Sequence, residues 1–369
     1  MSKKYGFELE QSVTIEQAAR IMLHNCMAGI GTFLIGTPGI GKTSVFEQVC
    51  KVLEEKKRKD GSPFIEGHVV FSTTEMTSID LGGLYHADAA SGRTRRFPLE
   101  TIDIEKRLGV FIDELADCPP HEQSGWYALA NDHRIGTKKL AEGSFVCGAA
   151  NPVGSTTAAR EISSALKDRA CVLHVRPDYR SVVRHALKRG WSDRVVGFLM
   201  HLGADVIDNG FDRNDPVGGS TPRGWERVSV SEKTGALVED LAVHQVAGNV
   251  GYAAAEKYIA FRDLDIPDVK LVFKNPHTAP IFAGGDADSE AIKFAYVSAV
   301  MVQADIKDKG QCESVIRYLM RLDRPTAVLT IQDFAMRRMG AAKAVLLDAY
   351  KDALNEYKDL AVAIDQAKK

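Results

Sequence analysis

Eight residues near the amino terminus combine the types needed to hold a phosphate. Gly36-Thr37-Pro38-Gly39-Ile40-Gly41-Lys42-Thr43 fits G-x-x-x-x-G-K-[ST] in full, and Ser44 follows it. Glycines let successive backbone N–H groups turn inward around an anion at a helix N-terminus. Lys42 is placed to reach the β- and γ-phosphates, and Thr43 offers a hydroxyl to Mg2+. An apolar run, Thr32 to Ile35, precedes the glycines, and a helical stretch from Lys42 to about Lys57 follows. Strand, loop and helix are the setting the motif requires. A guanine-reading N-K-x-D element does not occur: NDHR at Asn131 and NPVG at Asn151 both fail it. The expected nucleotide is ATP.

Two further apolar runs end in polar groups that suit the same chemistry. Val110-Phe-Ile-Asp113-Glu114 closes on paired carboxylates, and Phe145-Val-Cys-Gly-Ala-Ala-Asn151-Pro152 closes on a lone amide. In parallel sheets, ligands gather at the C-terminal ends of the strands. Asp113 is thereby placed to hold Mg2+ with Thr43. Glu114 is placed to activate or orient a water, and Asn151 to hydrogen-bond the γ-phosphate or that water. Because both acids are present, hydrolysis is expected rather than passive binding. A different question arises at Gly218-Gly-Ser-Thr-Pro-Arg-Gly-Trp225. Thr221 suits a helix N-cap, Pro222 the first helical position and Arg223 the second. A cation there opposes the helix dipole unless an anion lies close by.

The remaining elements are those needed to position these residues. Thr14 and Gln17 form a capping-box pattern before the amphipathic stretch ending at Met27. Short apolar runs at His68–Phe71, Gly109–Ile112, Ser144–Ala150 and Cys171–Val175 alternate with helix-length segments. That alternation predicts a parallel sheet covered on both faces, an α/β fold. Two hairpin insertions interrupt it, at residues 84–97 and 133–145. Residues 205–220 read as a polar loop or linker, and from Thr221 the pattern is largely helical, with a long helix over 341–367.

The chain has 369 residues, 45% hydrophobic and 26% charged, with a formal net charge of −2. It can bury full cores, and its balance excludes a surface made throughout to grip nucleic acid. Its six cysteines show no C-x-x-C pairing, which predicts scattered reduced thiols. No apolar leader or membrane-length run is found, so a cytoplasmic protein with no membrane partner is expected.

P-loop, DE strand, asparagine-ended strand, Leu166-Lys-Asp-Arg169 and Ser220-Thr-Pro-Arg223 occur in the order seen in AAA+ ATPases. The hairpin after Ser78-Ile-Asp80-Leu-Gly-Gly-Leu84 and the second hairpin resemble the inserts of the MoxR-like branch, which has an insert in helix 2. The resemblance covers residues 12–260 and continues more weakly beyond. It implies a P-loop NTPase core over residues 1–180, a helical lid over 181–262 and a mainly helical C-terminal extension over 263–369. Gly36 to Thr43 match Walker A, Asp113 and Glu114 match Walker B, and Asn151 matches sensor 1. Arg169 matches the arginine finger that completes a neighbouring subunit's site, with Arg160 as the alternative. Ala170 follows Arg169, where many members carry an aromatic. Arg223 matches sensor 2, so the missing anion at that helix start is the γ-phosphate.

The resemblance also implies a homo-oligomeric ring, usually a hexamer, that remodels a separate partner protein, one type of which carries a von Willebrand factor A domain. That domain's D-x-S-x-S motif is absent from this chain, since Asp286-Ala-Asp-Ser-Glu does not fit it. Two other functions stay open. One is a nucleic-acid-associated motor or loader, supported by Lys56-Lys-Arg-Lys59 and by Arg93, Arg95 and Arg96 of the first hairpin. The other is a nucleotide-gated scaffold.

Overall fold

Thr14 and Gln17 close a reciprocal box at the start of α1 (Ile15–Met27): the Thr14 N–H donates to Gln17 Oε1 at 2.9 Å, and the Gln17 N–H to Thr14 Oγ1 at 3.3 Å. The computed structural model describes residues 11–77, 81–97, 102–136, 138–155, 162, 168–209, 219–282 and 286–336. The chain forms two units that divide between Pro177 and Asp178.

After α1 the first unit runs through β1 (Thr32–Ile35), α2 (Lys42–Glu55), β2 (Gly67–Ser72), β3 (Leu84–Asp88), β4 (Arg93–Phe97) and β5 (Leu108–Asp113). It continues through α3 (Pro120–Asp132), β6 (Arg134–Ile135), β7 (Lys138–Lys139), β8 (Phe145–Ala150) and β9 (Cys171–His174). Five strands form one parallel sheet in the order β2–β5–β8–β1–β9. The α/β architecture expected from the alternating runs is therefore present, with the glycine-rich loop joining β1 to α2.

Each central strand is apolar on both sides because each face is covered. Phe33, Val110, Ile112 and Val146 join Trp126 and Leu129 of α3 in one core cluster. Leu34, Phe111, Phe145 and Cys147 join Met22 of α1 and Phe46 and Val49 of α2 in another. All six cysteines are free. Cys26 and Cys147 lie 3.6 Å apart, sulfur to sulfur. Their mutual hydrogen bond and then burial push the Cys26 thiol up, and burial does the same at Cys50. These thiols are packing groups rather than nucleophiles.

Two antiparallel hairpins are formed, one by β3 and β4 and one by β6 and β7. In the first, β3 and β4 pair antiparallel with Tyr85 opposite Arg96, and Tyr85 is exposed. The second is shorter than its sequence span, because only Arg134–Ile135 and Lys138–Lys139 pair.

The second unit is helical: α4 (Tyr179–Arg189), α5 (Asp193–Gly203), α6 (Pro222–Thr234), α7 (Ala242–Val250), α8 (Tyr252–Arg262), α9 (Lys270–Lys274), α10 (Ala287–Gln303), α11 (Lys309–Leu319) and α12 (Arg324–Met336). Residues on both sides of Asp263 share one core: Phe198, Trp225 and Tyr258 belong to the same cluster as Tyr296, Tyr318 and Phe334. The α5–α10 crossing is close at Gly197, where any Cβ would overlap Ser298 Oγ. Arg184 of α4 pairs with the buried Asp333 of α12 at 2.9 Å. One reading is corrected here. Residues 205–208, read as the start of a polar loop over 205–220, lie in a π-helical turn (Ala204–Asp208) continuing α5, because Val206 and Ile207 are buried. The expected helix over 341–367 lies outside the described residues. No helix among the described residues is long and apolar enough to cross a membrane.

The shared core yields a first prediction. A chain ending at residue 262 lacks α10, which carries Tyr296, Val297, Val300 and Met301 into that core. Removing several large buried side chains costs about 2–5 kcal/mol each. Residues 178–262 are expected to lose cooperative unfolding by circular dichroism and to become protease-sensitive, whereas a chain ending at residue 336 retains both properties.

Candidate functional site

Four strand ends converge because four strands run in parallel. In the register, Ile35 of β1 lies beside Ala150 of β8, Ile112 of β5 beside Gly148 of β8, and Ser72 of β2 beside Asp113 of β5. The residues that follow these ends are the glycine-rich loop, Asn151, Glu114 and Thr73-Thr74.

The loop is held to the sheet by a bond from the Gly36 N–H to Ala150 O at 3.2 Å. A Cβ on Gly36 would meet the Val175 carbonyl at 2.7 Å, so only glycine fits. Gly41, the N-cap of α2, has φ 92°, in the left-handed region that L-residues avoid. These two glycines shape the concave turn that opens α2.

Lys42 is 9% exposed, and its ammonium donates to Gly36 O at 2.7 Å, Thr37 O at 3.1 Å and Asn151 Oδ1 at 3.1 Å. Thr43 Oγ1 donates to Asp113 Oδ2 at 2.5 Å. Lys42, Thr43, Asp113 and Asn151, singled out separately in the sequence, thus form paired contacts at one edge of the sheet. A hydroxyl and a carboxylate turned to each other fit Mg2+, which takes few protein ligands and keeps waters and phosphate oxygens as the rest of its octahedron.

Glu114 has φ 58°, which is uncommon for a residue with a side chain. Several bonds hold it there. Its N–H donates to Asp113 Oδ1 at 2.9 Å, and its carbonyl accepts from Thr73 Oγ1 at 2.8 Å. Its Oε2 accepts from Ser72 Oγ at 3.0 Å and from Thr74 Oγ1 at 2.6 Å. Strained backbone held by surrounding bonds clusters at functional sites.

Sequence reading missed four contributors: Ser72, Thr73, Thr74 and Asp117. Asp117 Oδ2 accepts from Asn151 Nδ2 at 3.0 Å. The hydroxyls carry no signal until β2 is known to lie beside β5. Asp117 sits four residues past Asp113, in the turn after β5, and could have been noted there.

The arginines are placed less completely. Arg169 is exposed, just before β9, and the neighbouring Ala170 packs against the sheet's core. Arg160 lies outside the described residues. Arg223 is exposed in the first turn of α6, in the second unit. The helix start itself is as expected: Thr221 Oγ1 accepts from the Gly224 N–H at 3.2 Å, with Pro222 at the first position. Trp225 anchors the helix, its Nε1 donating to Ser220 Oγ at 2.7 Å.

No protein-family model matches the chain, and no curated protein matches it. Several solved structures resemble it at a low level. The RuvB Holliday junction branch migration motor of Thermotoga maritima is 17% identical over 80% of this chain and 89% of its own, with a TM-score of 0.35. The ORC2 protein of Aeropyrum pernix is 16% identical over 70% and 71%, with a TM-score of 0.37. A replication initiator DnaA bound to AMPPCP and single-stranded DNA is 12% identical over 99% and 98%, with a TM-score of 0.35. Similarity at this level assigns no function. The chemistry has to be read from the strand ends.

Gly41→Ala tests the loop geometry. A side chain in the left-handed region costs about 1–2 kcal/mol. The substitution is expected to lower the thermal midpoint of the first unit and to weaken binding of a non-hydrolysable ATP analogue, read by calorimetry. The neighbouring Ser44→Ala is expected to change the midpoint less.

Proposed function

We propose that this chain is an AAA+ ATPase of the MoxR-like branch, which forms a ring and uses Mg2+-dependent ATP hydrolysis to remodel a partner protein. One observation supports the nucleotide chemistry of this reading: Lys42, Thr43, Asp113 and Asn151, from three strand ends, meet through contacts of 2.5–3.1 Å, while the branch, the ring and the partner rest on the resemblance.

In this reading the loop from Gly36 to Thr43, with Ser44, binds the triphosphate, and Lys42 bonds its β- and γ-phosphates. Thr43 and Asp113 hold Mg2+, which offsets phosphate charge when bound. Glu114 takes a proton from a water as its oxygen attacks the γ-phosphorus and the bond to the β-phosphate oxygen breaks. Oε2 of Glu114 is bonded to two hydroxyls, so Oε1 is the oxygen assigned to that water. Asn151 orients the reacting groups. Exposed Arg169 completes a neighbouring subunit's site, and Arg223, in the lid over residues 181–262, is the sensor 2 residue. Residues 263–369 are a C-terminal extension, of which residues 263–282 and 286–336 share the lid's core. The partner is a separate chain, for which a von Willebrand factor A domain is the type the branch resemblance supplies. A cytoplasmic setting fits this assignment.

Steady-state ATP turnover per subunit, measured against protein concentration, tests the proposal. Turnover is expected to rise with concentration as subunits pair. Arg169→Ala is expected to lower it by about 10³-fold or more, as for arginine fingers elsewhere. Glu114→Gln should retain nucleotide binding and lose about 100-fold or more in turnover. A concentration-independent rate with Arg169→Ala fully active would overturn the ring assignment. Strong, salt-dependent DNA binding without a protein client would favour the nucleic-acid motor instead.

A further inference from the structure

Asn151 stands between two groups of opposite hydrogen-bonding character. On one side is Lys42, whose ammonium can only donate, 3.1 Å from Asn151 Oδ1. On the other is Asp117, whose ionised carboxylate can only accept, 3.0 Å from Asn151 Nδ2. An isolated asparagine amide can be turned by 180° with little change in shape. Here that turn would set the NH2 group against the ammonium and the carbonyl oxygen against the carboxylate. Both contacts would become repulsive, so the two partners select one orientation together.

We propose that Asp117 is a positioning residue for the reaction: it locks the Asn151 amide so that its carbonyl oxygen, not its NH2 group, faces Lys42. The proposal rests on the ATPase reading above and deepens it. Phosphate oxygens only accept, so the locked carbonyl oxygen cannot bond a γ-phosphate. It can accept from the Lys42 ammonium or from a water that attacks the phosphate. Asp117 thus assigns the Asn151 carbonyl oxygen the task of holding donors in place.

The placement of Asp117 supports this. The Asp117 N–H donates to Glu114 O at 2.9 Å, which fixes the turn through the backbone whatever the side chain does. The same turn carries the Leu115 N–H to Ala149 O at 3.0 Å, tying it to β8 just before Asn151. Residues after β5 and β8 are therefore held at a set separation, and the Asp117 carboxylate spans it.

The test is a double-mutant cycle in ATP turnover with Asp117→Ala, Asn151→Ala and the pair, alongside Asp117→Asn and Lys42→Ala. Lys42→Ala must abolish turnover; if it does not, the ATPase reading itself fails. Given that, Asp117→Ala is expected to lower kcat about tenfold, a value set by one hydrogen bond of transition-state free energy, with little change in KM. Adding it to Asn151→Ala should lower kcat no further, because the lock then has nothing to hold. Asp117→Asn keeps an acceptor that can face the Asn151 NH2 and should recover most of the loss. Multiplicative losses in the double variant, or Asp117→Asn as impaired as Asp117→Ala, would overturn the proposal. So would a loss in Asp117→Ala that falls wholly in KM. Thermal midpoints of all variants are measured in parallel, and a kcat loss that tracks the midpoint would also overturn it.

Discussion

A buried ammonium constrains the first unit more than any other single group. Lys42 is almost fully buried, and an unpaired charge in such a place costs several kcal/mol. Its nitrogen donates to two loop carbonyls and to one side-chain amide oxygen. The carbonyls come from the residues that directly follow β1, and the amide from the residue that directly follows β8. These acceptors meet only if β1 and β8 are adjacent, parallel and in register at their ends. The loop conformation, the adjacency of β1 and β8 and the side-chain geometry thus all serve one requirement.

The same strand order accounts for the strained backbone at Glu114. A residue at φ 58° needs compensation, and β2 supplies it. Ser72 is paired in register with Asp113, so the hydroxyls that follow β2 fall beside the residue that follows β5. Thr73 bonds the strained carbonyl while Ser72 and Thr74 bond the carboxylate. An acid held this way has a defined direction, which the proton acceptance proposed for it would use.

Local signals carried much of this into the sequence. The capping box, the strand–loop–helix context and the strand ends at Asp113 and Asn151 were legible, because each depends on neighbours within a few residues. What was not legible is non-local. Nothing local says that β2 lies beside β5, so Ser72, Thr73 and Thr74 passed unnoticed. The long α3 went unread because its buried Trp126 and Leu129 sit among polar residues. Residues 205–208 were misread for the converse reason: their acids suggested a loop, while Val206 and Ile207 decided the packing. Arg223 drew attention locally, as a cation in the first turn of a helix, while the role proposed for Arg169 comes from resemblance alone, since an exposed arginine has no local signature.

The helix that carries Arg223 shows how the second unit places such a residue. Gly224, Trp225, Val228 and Ser229 are buried, while Arg223, Glu226 and Arg227 are exposed. Gly224 is pressed against the Asn249 carbonyl, where a side chain would overlap the α7 backbone. Trp225 packs against Phe198 and Tyr258, with ring centroids 5.0 and 5.5 Å away. At the far end of α6, Glu232 accepts from Tyr258 at 2.8 Å and pairs with Arg262 at 2.9 Å. Both ends of the helix are therefore fixed to α8, and its rotation about its own axis is fixed by Trp225. The dipole of a fixed helix disfavours the Arg223 cation throughout. The helix N-terminus and the Arg223 guanidinium carry charge of the same sign, so an anion of the kind proposed for this residue would interact favourably with both.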